Sequence, residues 1–117
     1  KAKERRAAIE RLTSIPDGEE RLVLATGRFA GEGFDDARLD TLFLTMPVSW
    51  RGTLVQYAGR LHRQYHVKSE VRIMDYRDGL VPMLARRFER RMRGYRAMGY
   101  AVRSDPGPDS DCDPGLF

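Results

Sequence analysis

"LDTLFLTMPVSWRGTLVQYAGRLHRQY" spans Leu39–Tyr65. Its first third is a short apolar run ended by Pro47, and this predicts a strand over Leu39–Pro47. Its remainder predicts a helix over Ser49–Tyr65, with Ser49 available as N-cap. Leu54, Ala58 and Leu61 recur at i, i+4 and i+7 and form the seam that faces a core. Gln56, Arg60 and Arg63 repeat the same spacing two residues on, roughly 200° around the helix at 3.6 residues per turn. A polar stripe with two arginines one turn apart therefore points away from the core. Gly59 lies beside it, at a cost of about 1 kcal/mol relative to Ala, which implies a close approach by another group. The alternative is a solvated face with a tolerated glycine.

The flanks extend the pattern. Upstream, Lys1–Leu12 has Ala8, Ile9 and Leu12 at helical spacing, and "IPDGEE" (Ile15–Glu20) is a turn. "RLVLAT" (Arg21–Thr26) reads as a buried strand and "GRFAGEGFDDAR" (Gly27–Arg38) as a loop with three glycines. Downstream, "EVRIMDY" (Glu70–Tyr76) predicts a third strand with Val71, Ile73 and Tyr76 inward. Asp78–Tyr100 predicts a helix with Pro82 in its first turn. Leu84, Phe88, Met92 and Tyr95 form its seam. Strands alternating with helices predict a parallel sheet with helices on both faces, a three-layer α/β/α domain. Ligands in such sheets sit at the carboxyl ends of the strands, where the glycine-rich loop falls.

Composition bounds the function only loosely. A chain of 117 residues suits one domain or part of one, and a start at Lys1 implies a piece of something longer. Cys112 is the only cysteine, which excludes a disulfide framework and a cysteine-based zinc site and favours a reducing, cytoplasmic setting. No apolar run approaches a membrane span. The net charge of +4 is unevenly spread. Gly79–Gly99 carries six arginines against Glu89, whereas residues 104–117 carry four aspartates and no base and read as a disordered acidic tail. The arginines suit a polyanion partner. They suit equally a solvated face over the Leu84–Tyr95 seam. His62 and His66 are spaced as a metal pair, but no H-E-x-x-H pattern or third ligand accompanies them, and solvated histidines explain them better. Trp50 suits core packing or stacking on a base.

The loop and the helix gain meaning as a pair. The glycines Gly27, Gly31 and Gly33 let a ligand reach backbone N–H groups, and Asp35 can accept hydrogen bonds from ribose hydroxyls. The spacing matches neither G-x-x-x-x-G-K-[ST] nor G-x-G-x-x-G. "ATGRFAGEGFD" (Ala25–Asp35) instead resembles motif V of superfamily-2 helicases, in the form that ends Glu-Gly-x-Asp. "QYAGRLHR" (Gln56–Arg63) resembles their motif VI, Q-x-x-G-R-x-x-R. Order and separation agree, and the resemblance covers Arg21 to Asp78. Its closest character is that of bacterial DEAD/DEAH-type helicases and restriction-system helicase subunits.

The resemblance implies the second of two RecA-like (P-loop NTPase-like) domains, incomplete and spanning residues 1–103. ATP and Mg²⁺ would be held mainly by a first domain of the same parent chain, which carries the phosphate loop and the acidic metal motif. It implies that Arg63 is the arginine finger and that Arg60 is its phosphate-facing neighbour. Gln56 would organise the cleft, Gly33 would line the nucleotide edge, and Asp35 would meet the ribose. Thr26 would bond a nucleic-acid phosphate, with Gly27 and Arg28 along the same track. DNA is the expected partner, RNA is an open alternative, and no metal ligand is expected in this chain. The isolated 117 residues are not expected to hydrolyse ATP. Rival readings are a small basic nucleic-acid-binding module and a regulatory RecA-like domain without motor activity.

Overall fold

The computed structural model describes residues 1–31, 34–48 and 50–104, and of residues 50 and 51 the backbone alone. Ser49 as N-cap, Gly33 at the nucleotide edge, the Trp50 side chain and the tail from 105 onward lie outside the described residues. The order is α1 (Ala2–Thr13), α2 (Gly27–Gly31), β1 (Thr41–Leu44), a π-helical turn (Trp50–Leu54), α3 (Val55–Leu61), β2 (Arg72–Asp75) and α4 (Pro82–Ala97). The chain is thus mixed α/β, with four α-helices and a two-stranded parallel sheet among the described residues.

β1 and β2 pair in register from Thr41↔Arg72 to Leu44↔Asp75. Side chains alternate between sheet faces, so Leu42, Leu44, Ile73 and Asp75 share one face while Phe43 and Met74 share the other. Helices cover the first face. Leu44, Leu54, Met92 and Tyr95 make its core, with Val48, Ile73, Phe88 and Met98 packed around them. Phe43 and Met74 remain exposed. One helical layer on the described sheet thus replaces the expected pair of layers.

The expected strand Arg21–Thr26 is absent. Neither β1 nor β2 hydrogen-bonds to it, and Leu22 and Leu24 stand 78% and 91% exposed. An apolar hexapeptide forms a strand only when a neighbour takes its backbone groups. The expected loop after it holds the short helix α2. Thr26 starts it, its carbonyl accepting from the Ala30 N–H at 3.0 Å and its hydroxyl from the Phe29 N–H at 3.4 Å. Tyr76, expected inward, is exposed one residue beyond the end of β2.

The seam of α3 is as expected: Leu54, Ala58 and Leu61 are buried. Its entry differs, since the chain arrives through a π turn in which Gly52 takes φ +82°. Pro82 opens α4 where the missing N–H costs nothing. Arg91 fits neither the solvated-face nor the polyanion-facing reading of the α4 arginines, for it is 2% exposed. Its Nε and Nη2 donate to the two Asp75 oxygens at 2.7 and 2.9 Å, and Nη1 donates to the Val48 carbonyl at 3.0 Å. The Tyr95 hydroxyl donates to the same carboxylate at 2.8 Å. Burial, then that hydrogen bond, push the Tyr95 phenol well above its usual range. A charge sits in this core because the sheet places a carboxylate under α4 and a fork-shaped cation meets both of its oxygens.

A second clasp ties α1 to the chain before β1. Arg38 donates to both Asp36 oxygens at 2.8 and 2.9 Å, to the Ile15 carbonyl at 2.8 Å and to the Leu12 carbonyl at 3.1 Å. Arg38 beside Asp36 holds that carboxyl below the usual range, against a smaller opposing effect of burial. Among the described residues no helix is long and apolar enough to cross a membrane.

Candidate functional site

The glycine-rich segment and α3 meet along one line. The Tyr57 hydroxyl donates to the Gly27 carbonyl at 2.7 Å. One turn on, Arg60 donates through Nη2 to the Gly31 carbonyl at 2.8 Å and through Nη1 to that of Phe34. One turn further, just past the helix end, Arg63 Nη2 meets Asp35 Oδ2 at 2.9 Å. Residues 57, 60 and 63 are thus three rungs of a ladder whose other rail runs from Gly27 to Asp35. The i, i+3 spacing sets Tyr57 and Arg60 on one helix face, and Arg63 follows just past the helix end. Gln56 lies beside the middle rung, its Oε1 3.7 Å from where a Cβ on Gly31 would stand.

Each rung differs in environment. Tyr57 is buried, and its hydroxyl partner lies across 30 positions of sequence. Arg60 is half-buried, and two of its donors hold backbone carbonyls that this irregular segment cannot pair within itself. Arg63 and Asp35 are open, their side chains 60% and 37% exposed. The two residues expected at opposite edges of a nucleotide therefore meet each other. Gly59 faces open space: among the described residues outside its own helix backbone, no atom lies within 4 Å of a Cβ there, so none of them makes the expected approach.

Lys68 completes the Arg63 end. Its ammonium donates to the carbonyls of Leu61 and Arg63, the second at 2.9 Å. A cation on the last carbonyls of a helix is the favoured arrangement at that end. Burial lowers the Lys68 pKa below the ordinary lysine value. His62, the C-cap of α3, shares a 2.6 Å hydrogen bond with the Tyr100 hydroxyl. His66 lies against the Tyr65 ring. Among the described residues no group of three or more His, Cys, Asp or Glu could hold a metal ion.

The other side of the glycine-rich segment opens into a cleft of about 770 Å³ between α1 and the start of α2. Lys1, Arg5, Arg6 and Arg28 line it with Thr26 and Phe29, and among the described residues Glu10 is the one acid on its wall. The Arg5 guanidinium stands 5.4 Å over the Phe29 ring, which stacks on Phe34 at 5.5 Å. Thr26 and Arg28, expected on a nucleic-acid track, thus share a basic wall with a helix that the motif reading did not include. Gly27 is placed differently from its neighbours: its carbonyl faces Tyr57.

Sequence reading missed Tyr57, Lys68, Arg5 and Arg6. Tyr57 carried a weak signal, as an aromatic three residues after Leu54 at the border of the seam. The charges of α1 were legible, but nothing in sequence placed them beside Thr26. No family model, no curated protein and no solved structure matches the chain.

Proposed function

We propose that this chain is the second motor domain of an ATP-dependent superfamily-2 DNA helicase or translocase. In this reading it adds an arginine finger and part of the nucleic-acid track to a composite ATP site. The observation that carries the reading is the ladder. Two segments that resemble motifs V and VI are joined by hydrogen bonds from Tyr57 and Arg60 and by the Arg63–Asp35 ion pair.

The chemistry follows from the environments of the rungs. Phosphoryl transfer is governed by positioning and by charge stabilisation at the transferring group. Arg63 is exposed and, among the described residues, its guanidinium is held by a surface carboxylate, an interaction of about 0–1 kcal/mol. A phosphate offers more charge and a matching bidentate face. Arg63 is therefore free to leave Asp35 for the γ-phosphoryl group, which leaves Asp35 to accept hydrogen bonds from a ribose. Arg60, one turn before it, keeps the loop in place, and Gln56 borders the same edge. The donors here are cationic and suit phosphate oxygens. Mg²⁺ belongs in this proposal to the first RecA-like domain, where it would neutralise charge on the phosphate chain.

On the opposite side of the loop, Thr26 and Arg28 with Arg5 and Arg6 form a basic wall suited to a phosphodiester backbone. One loop then borders both ligands, so nucleotide state and strand binding act on the same segment. The test is ATP hydrolysis by the full-length gene product with and without single-stranded DNA. Hydrolysis stimulated by the strand is expected, with no steady turnover by residues 1–117 alone. Strand binding without any hydrolysis by the full-length product would favour a basic binding module instead.

A further inference from the structure

The first rung of the ladder has no part in binding either ligand, and its geometry is demanding. The Tyr57 ring is buried beside the apolar seam, and burial alone gives its hydroxyl no reason to reach the loop. That hydroxyl nevertheless donates at 2.7 Å to the carbonyl of Gly27, the residue that follows Thr26. The approach requires a missing side chain. A Cβ on Gly27 would stand 2.7 Å from Tyr57 Oη, whereas the next ring atom lies 4.0 Å away. Real Cβ atoms do not come that close to oxygen, so the hydroxyl at 57 holds this position only with glycine at 27. The far end of α2 is held by Arg60. The Tyr57 hydroxyl ties the Thr26 end of the loop to the helix that carries Arg60 and ends beside Arg63.

We infer that Tyr57 is a positioning residue that couples strand binding at Thr26 to the placement of the arginines on and just beyond α3. The inference rests on the proposed motor function. A strand phosphate that takes the exposed Thr26 moves Gly27 with it. The Tyr57 hydroxyl passes that displacement to α3, one turn before Arg60 and two before Arg63. Without the hydroxyl both ligands still bind, but neither reports to the other.

The experiment uses the full-length gene product as wild type, Tyr57→Phe, Gly27→Ala and the double variant. Three readouts are taken: ATP turnover without nucleic acid, turnover with oligo(dT), and oligo(dT) affinity by fluorescence anisotropy. Tyr57→Phe keeps the ring and removes one hydroxyl. It is expected to leave unstimulated turnover and affinity within about threefold of wild type, while the stimulation by oligo(dT) falls at least about fivefold. Full stimulation in Tyr57→Phe overturns the inference and leaves the motor reading standing. A wild type that hydrolyses ATP without any response to oligo(dT) overturns both.

The contact itself is checked by melting temperature, independently of activity. Gly27→Ala is expected to lower it by several degrees in the wild-type background and to change it by less than about 1 °C in the Tyr57→Phe background. Equal effects in the two backgrounds would remove the lock and the inference with it.

Discussion

Two arginine–carboxylate pairs in this chain have the same chemistry and opposite surroundings. Arg91 and Asp75 meet beneath α4 with side chains 2% and 4% exposed. Arg63 and Asp35 meet on the surface beyond α3, at 60% and 37%. The first pair is completed by the Val48 carbonyl and the Tyr95 hydroxyl, so each charged group has partners on several sides. The second consists of one contact in water. A buried pair cannot be opened without stranding a charge, whereas an exposed one exchanges partners at little cost. The difference teaches where to look for function among many arginines. The architectural one is sequestered and fully satisfied. The one proposed to meet a ligand is held by an exposed ion pair.

Breaking each pair sharpens this contrast. Arg91→Ala is expected to cost about 3–5 kcal/mol of stability, since it leaves the Asp75 carboxylate buried without its cation. Arg63→Ala is expected to cost less than about 1 kcal/mol. Urea unfolding of the two variants checks both figures. Similar losses would mean that the surface pair is architectural too.

The basic wall between α1 and α2 gives a second contrast, with the basic face of α4. Reversing two charges in Arg5→Glu/Arg6→Glu is expected to weaken oligo(dT) binding at least about tenfold. It should also flatten the salt dependence by about 1.4 in log–log slope, for two lost contacts at 0.7 each. Arg86→Glu/Arg90→Glu on α4 changes the net charge equally and is expected to act far less. Anisotropy titrations at several salt concentrations separate a defined track from general electrostatic attraction. Equal effects would assign the binding to net charge alone.

The smallest expected effect is at the Arg38–Asp36 clasp. Arg38 holds the Asp36 carboxyl below its ordinary value of 3.8, so the unfolded chain takes up this proton first as pH falls. The clasp's contribution is therefore complete above about pH 4 and is lost as pH drops through the lowered folded value. Asp36→Asn is expected to lower the melting temperature by a few degrees at neutral pH and to narrow that deficit below about pH 4. Melting curves between pH 2.5 and 7 check the sign, in steps of about half a unit. A deficit that widens in acid would contradict the assignment.

The same contrast explains what could be read in the residues alone. Leu54, Ala58 and Leu61 announced the buried side of α3 by period, and Leu84, Phe88, Met92 and Tyr95 announced that of α4. Period reports which side of an element is apolar, and both seams turn to the core except at Leu84, which is half-buried at the start of α4. It does not report pairing, so Arg21–Thr26 looked like a strand although no described neighbour takes its backbone groups. Nor does it report which arginine among six on one helix finds a carboxylate across the core. Arg91 sits one position before Met92, and only the sheet register brings Asp75 beneath it. At the site, the loop and the polar stripe were legible as a pair through their resemblance to two motifs. What joins them was not. Tyr57 reaches across 30 positions to a backbone carbonyl, and a carbonyl carries no mark of its role in sequence.

The central claim is that Arg63 stabilises a transferring phosphoryl group, and ATP hydrolysis by the Arg63→Lys full-length product in saturating single-stranded DNA tests it most directly. Lysine keeps the charge and loses the planar fork. A fall in kcat of about 10² or more, with strand affinity retained, is the predicted result. Hydrolysis at the wild-type rate would contradict the claim and return Arg63 to an ordinary surface ion pair with Asp35.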